Sequence, residues 1–170
     1  MATHFNISGE LTQKLLAAGD NIRVSKISLT NTQKVSKCKV DLYIEKKLTG
    51  KFYLLKGVEL PIGATLIYDD MKFSNTVGEF GLYIKLTDGA TFTLTGAIDP
   101  TGTNTAVPGS GTAFLSEVSI GDEIVVSGET RIVTEIASDT SLTVSIAFSN
   151  NSNDATPDCN PVAPVDVILS

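Results

Sequence analysis

A strict alternation of apolar and polar side chains over residues 37–45 is the feature that most constrains this fold. The apolar members, all on one face, are Cys38, Val40, Leu42 and Ile44. The other face carries charged side chains and Tyr43. A period of two over nine residues is typical of a β-strand with one face in a core and the other exposed.

The same pattern continues through the first half of the chain. Residues 80–86 alternate in the same way, and residues 51–56 and 64–68 also have strand character. Between the last two, Leu60-Pro61-Ile62-Gly63 predicts a turn, because proline pre-sets φ and glycine permits a positive φ. The first half is therefore predicted to be an antiparallel β-sandwich.

Two segments of this half are less regular. Residues 22–29 begin with alternation and then slip by one position, which indicates a bulge near Lys26. Residues 11–18 fit either a turn of helix or an irregular strand.

The composition changes near residue 95. Residues 96–112 are small, polar and rich in glycine and proline, as at a domain boundary. Short strands predicted at 123–127, 130–137 and 141–147 fit a small β-barrel, and residues 149–161 have the composition of a loop. The final segment, 165–170, again has strand character, and we expect it to return to the sandwich.

This organisation predicts an all-β protein with one module inserted in another. The sandwich domain comprises residues 1–97 with 164–170. The inserted small barrel, with its flanking loops, comprises residues 98–163.

The residues needed for common catalytic and metal sites are scarce. The sequence has one histidine, His4, two cysteines, Cys38 and Cys159, and no zinc-binding or phosphate-binding motif. We therefore expect no catalytic residues, no metal and no cofactor, and we do not expect an enzyme. The two cysteines are expected to be free thiols in a reducing cytoplasm, and one disulfide is the alternative.

Charge is divided unevenly along the chain. Residues 1–95 hold 12 of the 13 basic residues and 9 acidic ones, whereas residues 96–170 hold Arg131 and 10 acidic residues. The net charge of −6 and the preference for lysine over arginine argue against nucleic-acid binding. No apolar run is long enough to span a membrane.

The basic residues of the first half are concentrated between residues 22 and 56. They predict either a face that docks on an acidic partner or a solvated sheet face with lysines that guard its edges. The predicted partner-binding residues are Arg23, Lys26, Lys37, Lys39, Tyr43, Lys46, Lys47 and Lys51.

Part of the second half resembles a small SH3-like β-barrel module that recurs in tailed-bacteriophage virion proteins. The resemblance lies in four stretches and a closing pair: Gly109-Ser110-Gly111-Thr112-Ala113-Phe114-Leu115, Val118-Ser119-Ile120-Gly121-Asp122-Glu123-Ile124, Gly128-Glu129-Thr130-Arg131-Ile132-Val133, Ile136-Ala137-Ser138-Asp139-Thr140-Ser141-Leu142-Thr143-Val144 and Ala147-Phe148. The flanking sandwich is similar to small phage virion proteins in its Leu60-Pro61-Ile62-Gly63-Ala64-Thr65-Leu66 turn and its Val165-Asp166-Val167-Ile168 strand.

The resemblance implies a non-enzymatic virion structural protein, most simply a capsid decoration or head accessory protein that binds assembled head proteins. A neck, tail, baseplate or fibre-attachment accessory protein is the main alternative, and a carbohydrate-binding module is a weaker one. The implied partners are other virion proteins, such as the major capsid protein or neck and tail proteins, and a homo-oligomer is possible. The implied location is the virion, assembled in the host cytoplasm.

Overall fold

The computed structural model describes residues 2–10, 12–46, 49–76, 78–149 and 152–170. They form two compact units. The first unit comprises Met1–Gln33, Lys37–Asp88 and Ala163–Ser170, and the second comprises Lys34–Ser36 and Gly89–Val162, each over its described residues.

Strands make up nearly all of the regular structure, so the predicted all-β class is confirmed. In chain order the elements are β1 (Thr3–Ser8), β2 (Thr12–Leu16), β3 (Arg23–Val24), β4 (Ile27–Asn31), β5 (Cys38–Lys46), β6 (Gly50–Leu60), β7 (Thr65–Tyr68), β8 (Phe73–Ser74), β9 (Phe80–Thr87), β10 (Phe92–Thr93), β11 (Ala97–Ile98), β12 (Ala106–Ser110), α1 (Phe114–Glu117), β13 (Glu123–Val126), β14 (Glu129–Ser138), β15 (Ser141–Val144), β16 (Asp158–Asn160) and β17 (Pro164–Leu169). Within the described ranges, no helix is both long and apolar enough to cross a membrane.

Two four-stranded antiparallel sheets face each other in the first unit, as the predicted sandwich requires. Their strand orders are β1-β17-β4-β7 and β2-β9-β5-β6. The last strand, β17, lies between β1 and β4, and its Val167 is opposite both Phe5 and Leu29. Buried side chains from both sheets, including Leu42 and Ile84, pack into one core cluster.

Three local features of the first unit can be compared with the expectations from the sequence. The strand predicted at residues 22–29 is split, because β3 ends at Val24 and β4 begins at Ile27. Residues 12–16 form a strand and not a helix. In the turn before β7, the Ala64 N–H donates to the Pro61 carbonyl over 3.1 Å and Gly63 has a φ of 66°.

The second unit contains a seven-stranded sheet with the order β10-β16-β13-β14-β15-β12-β11. Strands along its whole length contribute to one core cluster, together with Phe114 of α1, so the sheet must curve around that core. Over the described residues, none of the sheets closes into a barrel. This differs from the predicted small SH3-like β-barrel, because the edge strands β10 and β11 have only two residues each and are not paired with each other.

Both cysteines are buried free thiols. Burial, followed by the charge of Asp88, raises the pKa of Cys38 to about 11. Burial and the carboxylate of Asp122 raise the pKa of Cys159 to about 12. Cys159 lies in β16, opposite Ile124, so the prediction that the whole of residues 149–161 is a loop was wrong at this strand.

A tight hairpin joins β13 to β14. Ser127 and Gly128 both have positive φ, at 50° and 83°, which is typical of a type I′ turn. The Ser127 N–H donates to Asp154 Oδ2, and the Thr156 N–H donates to Asp154 Oδ1. These backbone donors, Ser127 first, lower the pKa of Asp154.

The Asp154 carboxylate should therefore give the second unit an acid-sensitive part of its stability. Because its folded pKa is below the usual 3.8, its contribution is present above pH 3.8 and is lost as the pH falls through the lowered value. We expect Asp154→Ala to lower the melting temperature at pH 7, and we expect the difference from wild type to shrink towards pH 2. A difference that is independent of pH would contradict this role of the charged form.

Candidate functional site

Three tyrosines form a row across the outer face of the sheet β2-β9-β5-β6. Tyr43 of β5 is directly opposite Tyr53 of β6 and Tyr83 of β9. The Tyr43 ring lies 5.5 Å from the Tyr53 ring and 5.6 Å from the Tyr83 ring, centroid to centroid, and it is stacked on Tyr83 with an interplanar angle of 10°. Offset and tilted contacts of this kind stabilise neighbouring aromatic rings beyond their buried area.

Tyr43 is buried although it points outward from the sheet. Its side chain is 1% exposed, whereas that of Tyr53 is 43% exposed. Gly81 provides room for the Tyr83 ring, because a Cβ at residue 81 would lie 2.9 Å from Tyr83 Cε2 and 3.1 Å from the Leu16 carbonyl oxygen. The row therefore presents Tyr53 to solvent and uses Tyr43 as its support.

Lysine ammonium groups lie over two of these rings. Lys51 Nζ is 4.6 Å from the centre of the Tyr43 ring, and Lys56 Nζ is 4.5 Å from the centre of the Tyr53 ring. A polar interaction with Tyr43 raises the pKa of Lys51, which stays charged at neutral pH. That interaction is looser than a hydrogen bond, since the buried Tyr43 hydroxyl has no hydrogen-bond partner among the described residues.

Two carboxylates beside this row are occupied by other groups, whereas Glu45, directly opposite Lys51, contributes to the raised pKa of Lys51. Asp41 Oδ1 accepts the Gly57 N–H over 2.6 Å. Glu59 forms an ion pair with Lys37 Nζ at 2.9 Å, and this hydrogen bond lowers the pKa of Glu59. The lysines over the rings take part in none of the ion pairs between described residues.

We name this surface the basic tyrosine face and define it by residues that share one side of the sheet. These are Lys39, Tyr43, Lys51, Tyr53, Lys56 and Tyr83. The face offers aromatic area and ammonium donors on paired strands, an arrangement suited to contact with an acidic protein surface.

The structure brings together only part of the predicted site. Lys39, Tyr43 and Lys51 share the basic tyrosine face, and Lys37 precedes it at the start of β5. The remaining predicted residues lie elsewhere or outside the described residues. Arg23 is in β3, Lys26 lies between β3 and β4, Lys46 pairs with Glu79 at 3.1 Å, and Lys47 falls outside the described residues.

Tyr53, Lys56 and Tyr83 belong to this face but not to the predicted set of partner-binding residues. A signal for Tyr83 was present, because alternation over residues 80–86 places it on the polar face. Its alignment with Tyr43 depends on the register between β5 and β9, which the local pattern does not contain. Lys56 reaches Tyr53 next to register shifts in β6.

Metal binding would need a cluster of acidic, histidine or cysteine side chains. Among the described residues, no three of them are grouped so that they could hold a metal ion.

Comparisons with known proteins give distant structural likenesses. No protein-family model matches the chain, and no curated protein matches its sequence. The structure of the exported protein XepA of the phage PBSX aligns with 99% of this chain and 86% of its own, at 10% identity and a TM-score of 0.31. A structure of infectious bursal disease virus, Gx strain, aligns with 99% of this chain at 7% identity and a TM-score of 0.21, and the match covers 36% of that protein. TM-scores this low carry no argument about function.

The unpartnered hydroxyl of Tyr43 gives a direct test of this geometry. A buried polar group without a partner costs about 1–3 kcal/mol, so we expect Tyr43→Phe to leave the free energy of unfolding unchanged or to raise it. Chemical denaturation measures this energy. Tyr53→Phe, at an exposed hydroxyl, is the matched control and should change it by no more than about 0.5 kcal/mol. A clear loss of stability in Tyr43→Phe alone would show that the hydroxyl has a partner.

Proposed function

We propose that this chain is a non-enzymatic structural protein of a tailed-phage virion, and that it decorates the head by binding assembled head proteins. The observation that carries the proposal is the basic tyrosine face, in which Lys51 and Lys56 lie over the rings of a row of three tyrosines. The resemblance of residues 109–148 to a module of tailed-phage virion proteins is the reason for proposing a phage particle.

The residues of this face suit a protein partner. Tyrosine is enriched among the residues that dominate binding energy at interfaces, and Tyr53 is the exposed member of the row. Lysines around such an anchor increase the rate of association with an acidic surface and are sensitive to salt. The proposed contact is therefore an acidic patch on a head protein that covers Tyr53 and approaches Lys51 and Lys56.

The underlying sheet supports this contact. Tyr43 and its neighbours are held by β5, which pairs with β6 on one side and β9 on the other. Because these side chains are ordered before binding, less conformational entropy is lost when a partner covers them. A face that serves only to keep the protein soluble does not require a buried tyrosine beneath its charged groups. The buried Tyr43 therefore favours a binding face over the solvated-face alternative.

Charge reversal on this face should weaken binding to the particle. We expect Lys51→Glu combined with Lys56→Glu to reduce affinity for purified heads that lack this protein by at least about tenfold, equivalent to about 1.4 kcal/mol. Co-sedimentation of labelled protein with the heads measures this affinity. The wild-type affinity should also fall as the salt concentration rises.

Lys34→Glu combined with Lys72→Glu is the matched control, because both lysines are exposed, lie outside the basic tyrosine face and are not among the predicted partner-binding residues. This variant has the same net charge and should bind nearly as well as wild type. Equal loss in both variants would show that binding follows net charge alone. No loss in either variant would favour the solvated-face alternative.

Copy number distinguishes the head from other positions in the particle. Quantitative mass spectrometry of purified virions should find this chain in hundreds of copies if it decorates the head. A dozen copies or fewer would instead favour the neck, tail, baseplate or fibre-attachment alternative.

A further inference from the structure

The four edge strands of the sandwich differ in their protection against pairing with another chain. Lysines, register irregularities and short length protect an exposed edge. Strand β6 has two register shifts and carries Lys51 and Lys56. Strand β2 has one shift and carries Lys14, and β7 has only four residues.

Strand β1 has none of these protections. Its six residues, THFNIS, contain no lysine, proline or glycine, and they pair with β17 without a register shift. Among the described residues, β1 has a strand neighbour on one side only. Its second edge is therefore regular and carries no lysine, arginine or carboxylate side chain.

The direction of the backbone groups follows from the hydrogen bonds at the start of β17. The Gly9 N–H donates to the Ala163 carbonyl, and the Thr32 N–H donates to the Pro164 carbonyl. In an antiparallel ladder these bonds alternate, so the odd residues of β1 bond to β17 and the even residues direct N–H and C=O to the free edge.

The even residues of β1 are His4, Asn6 and Ser8, and all three are exposed. Their side chains lie on the outer face of the sheet. The odd residues point to the interior, where Phe5 is half-buried at the margin of the core. A further strand added at this edge would thus satisfy backbone groups and also cover Phe5.

We propose that β1 pairs with β1 of a second copy of this chain, antiparallel across a two-fold axis. The contact would join two β1-β17-β4-β7 sheets into one continuous sheet. An antiparallel pair of identical strands is self-complementary, so the donors and acceptors that face the free edge of one copy can meet those of the other.

Charge favours this edge for self-pairing over β6 and β2, and β7 offers only four residues for pairing. Two copies joined along β1 bring no lysines together, whereas pairing of β6 or β2 with itself brings together lysines of both copies. The interior residues Thr3, Phe5 and Ile7 of the two copies would lie side by side and extend the apolar layer of each sandwich.

The experiment compares the full-length wild type with a variant that lacks one backbone N–H donor. At high micromolar concentration, wild type should sediment with twice the 18.0 kDa mass of one chain. His4→Pro removes an N–H that faces the free edge and spares the ladder with β17, so it should fold with a similar circular dichroism spectrum. It should weaken the dimer by at least about tenfold.

His4→Ala is the matched control, because it removes the same side chain and retains the N–H. It should remain a dimer. A monomeric wild type, a dimer that survives His4→Pro, or equal loss of the dimer in His4→Ala would each overturn the proposal. The result is independent of the proposed function, since a monomer with an intact basic tyrosine face could still bind heads.

Discussion

The pairing of β17 with both β1 and β4 is the contact on which the first unit depends. This strand arrives from the far end of the chain and fills the space between two strands near its beginning. Its position is fixed where the chain returns, because the Ala163 N–H donates to Asp88 Oδ1 over 2.7 Å and the Ala163 carbonyl accepts the Gly9 N–H. Without β17, β1 would have no strand neighbour among the described residues and the core would lose Val165, Val167 and Leu169.

The side chains of the basic tyrosine face are held in place by strands that pack on the same core. Leu42 and Ile84 pack inward beneath it and are opposite each other on β5 and β9, where the next residue pair is Tyr43 and Tyr83. Because successive side chains of a strand point to opposite faces, burial of one set fixes the outward set. Any loss of packing between the sheets would therefore loosen the tyrosine row, even though β17 lies in the opposite sheet.

Local patterns were sufficient to predict the class of fold and several strands. Period-two alternation predicts β5 and β9 from their own residues, and the turn before β7 follows from Pro61 and Gly63. The three-residue strand β16 was missed because its pairing partners, β10 and β13, are distant in sequence. The composition of the basic tyrosine face could be predicted only in part, since the row of tyrosines depends on the register between three strands and the pairing of β5 with β6 includes two shifts.

The two proposed contacts use different parts of the sandwich and can operate together. Pairing through β1 uses backbone groups at the edge of one sheet, whereas the basic tyrosine face covers the outer side of the other sheet. A dimer would therefore carry two such faces. Single contacts through exposed lysines are weak and sensitive to salt. If two linked faces can engage neighbouring sites on a particle that repeats its subunits, the second contact becomes intramolecular and the combined affinity rises without any new residue in the interface.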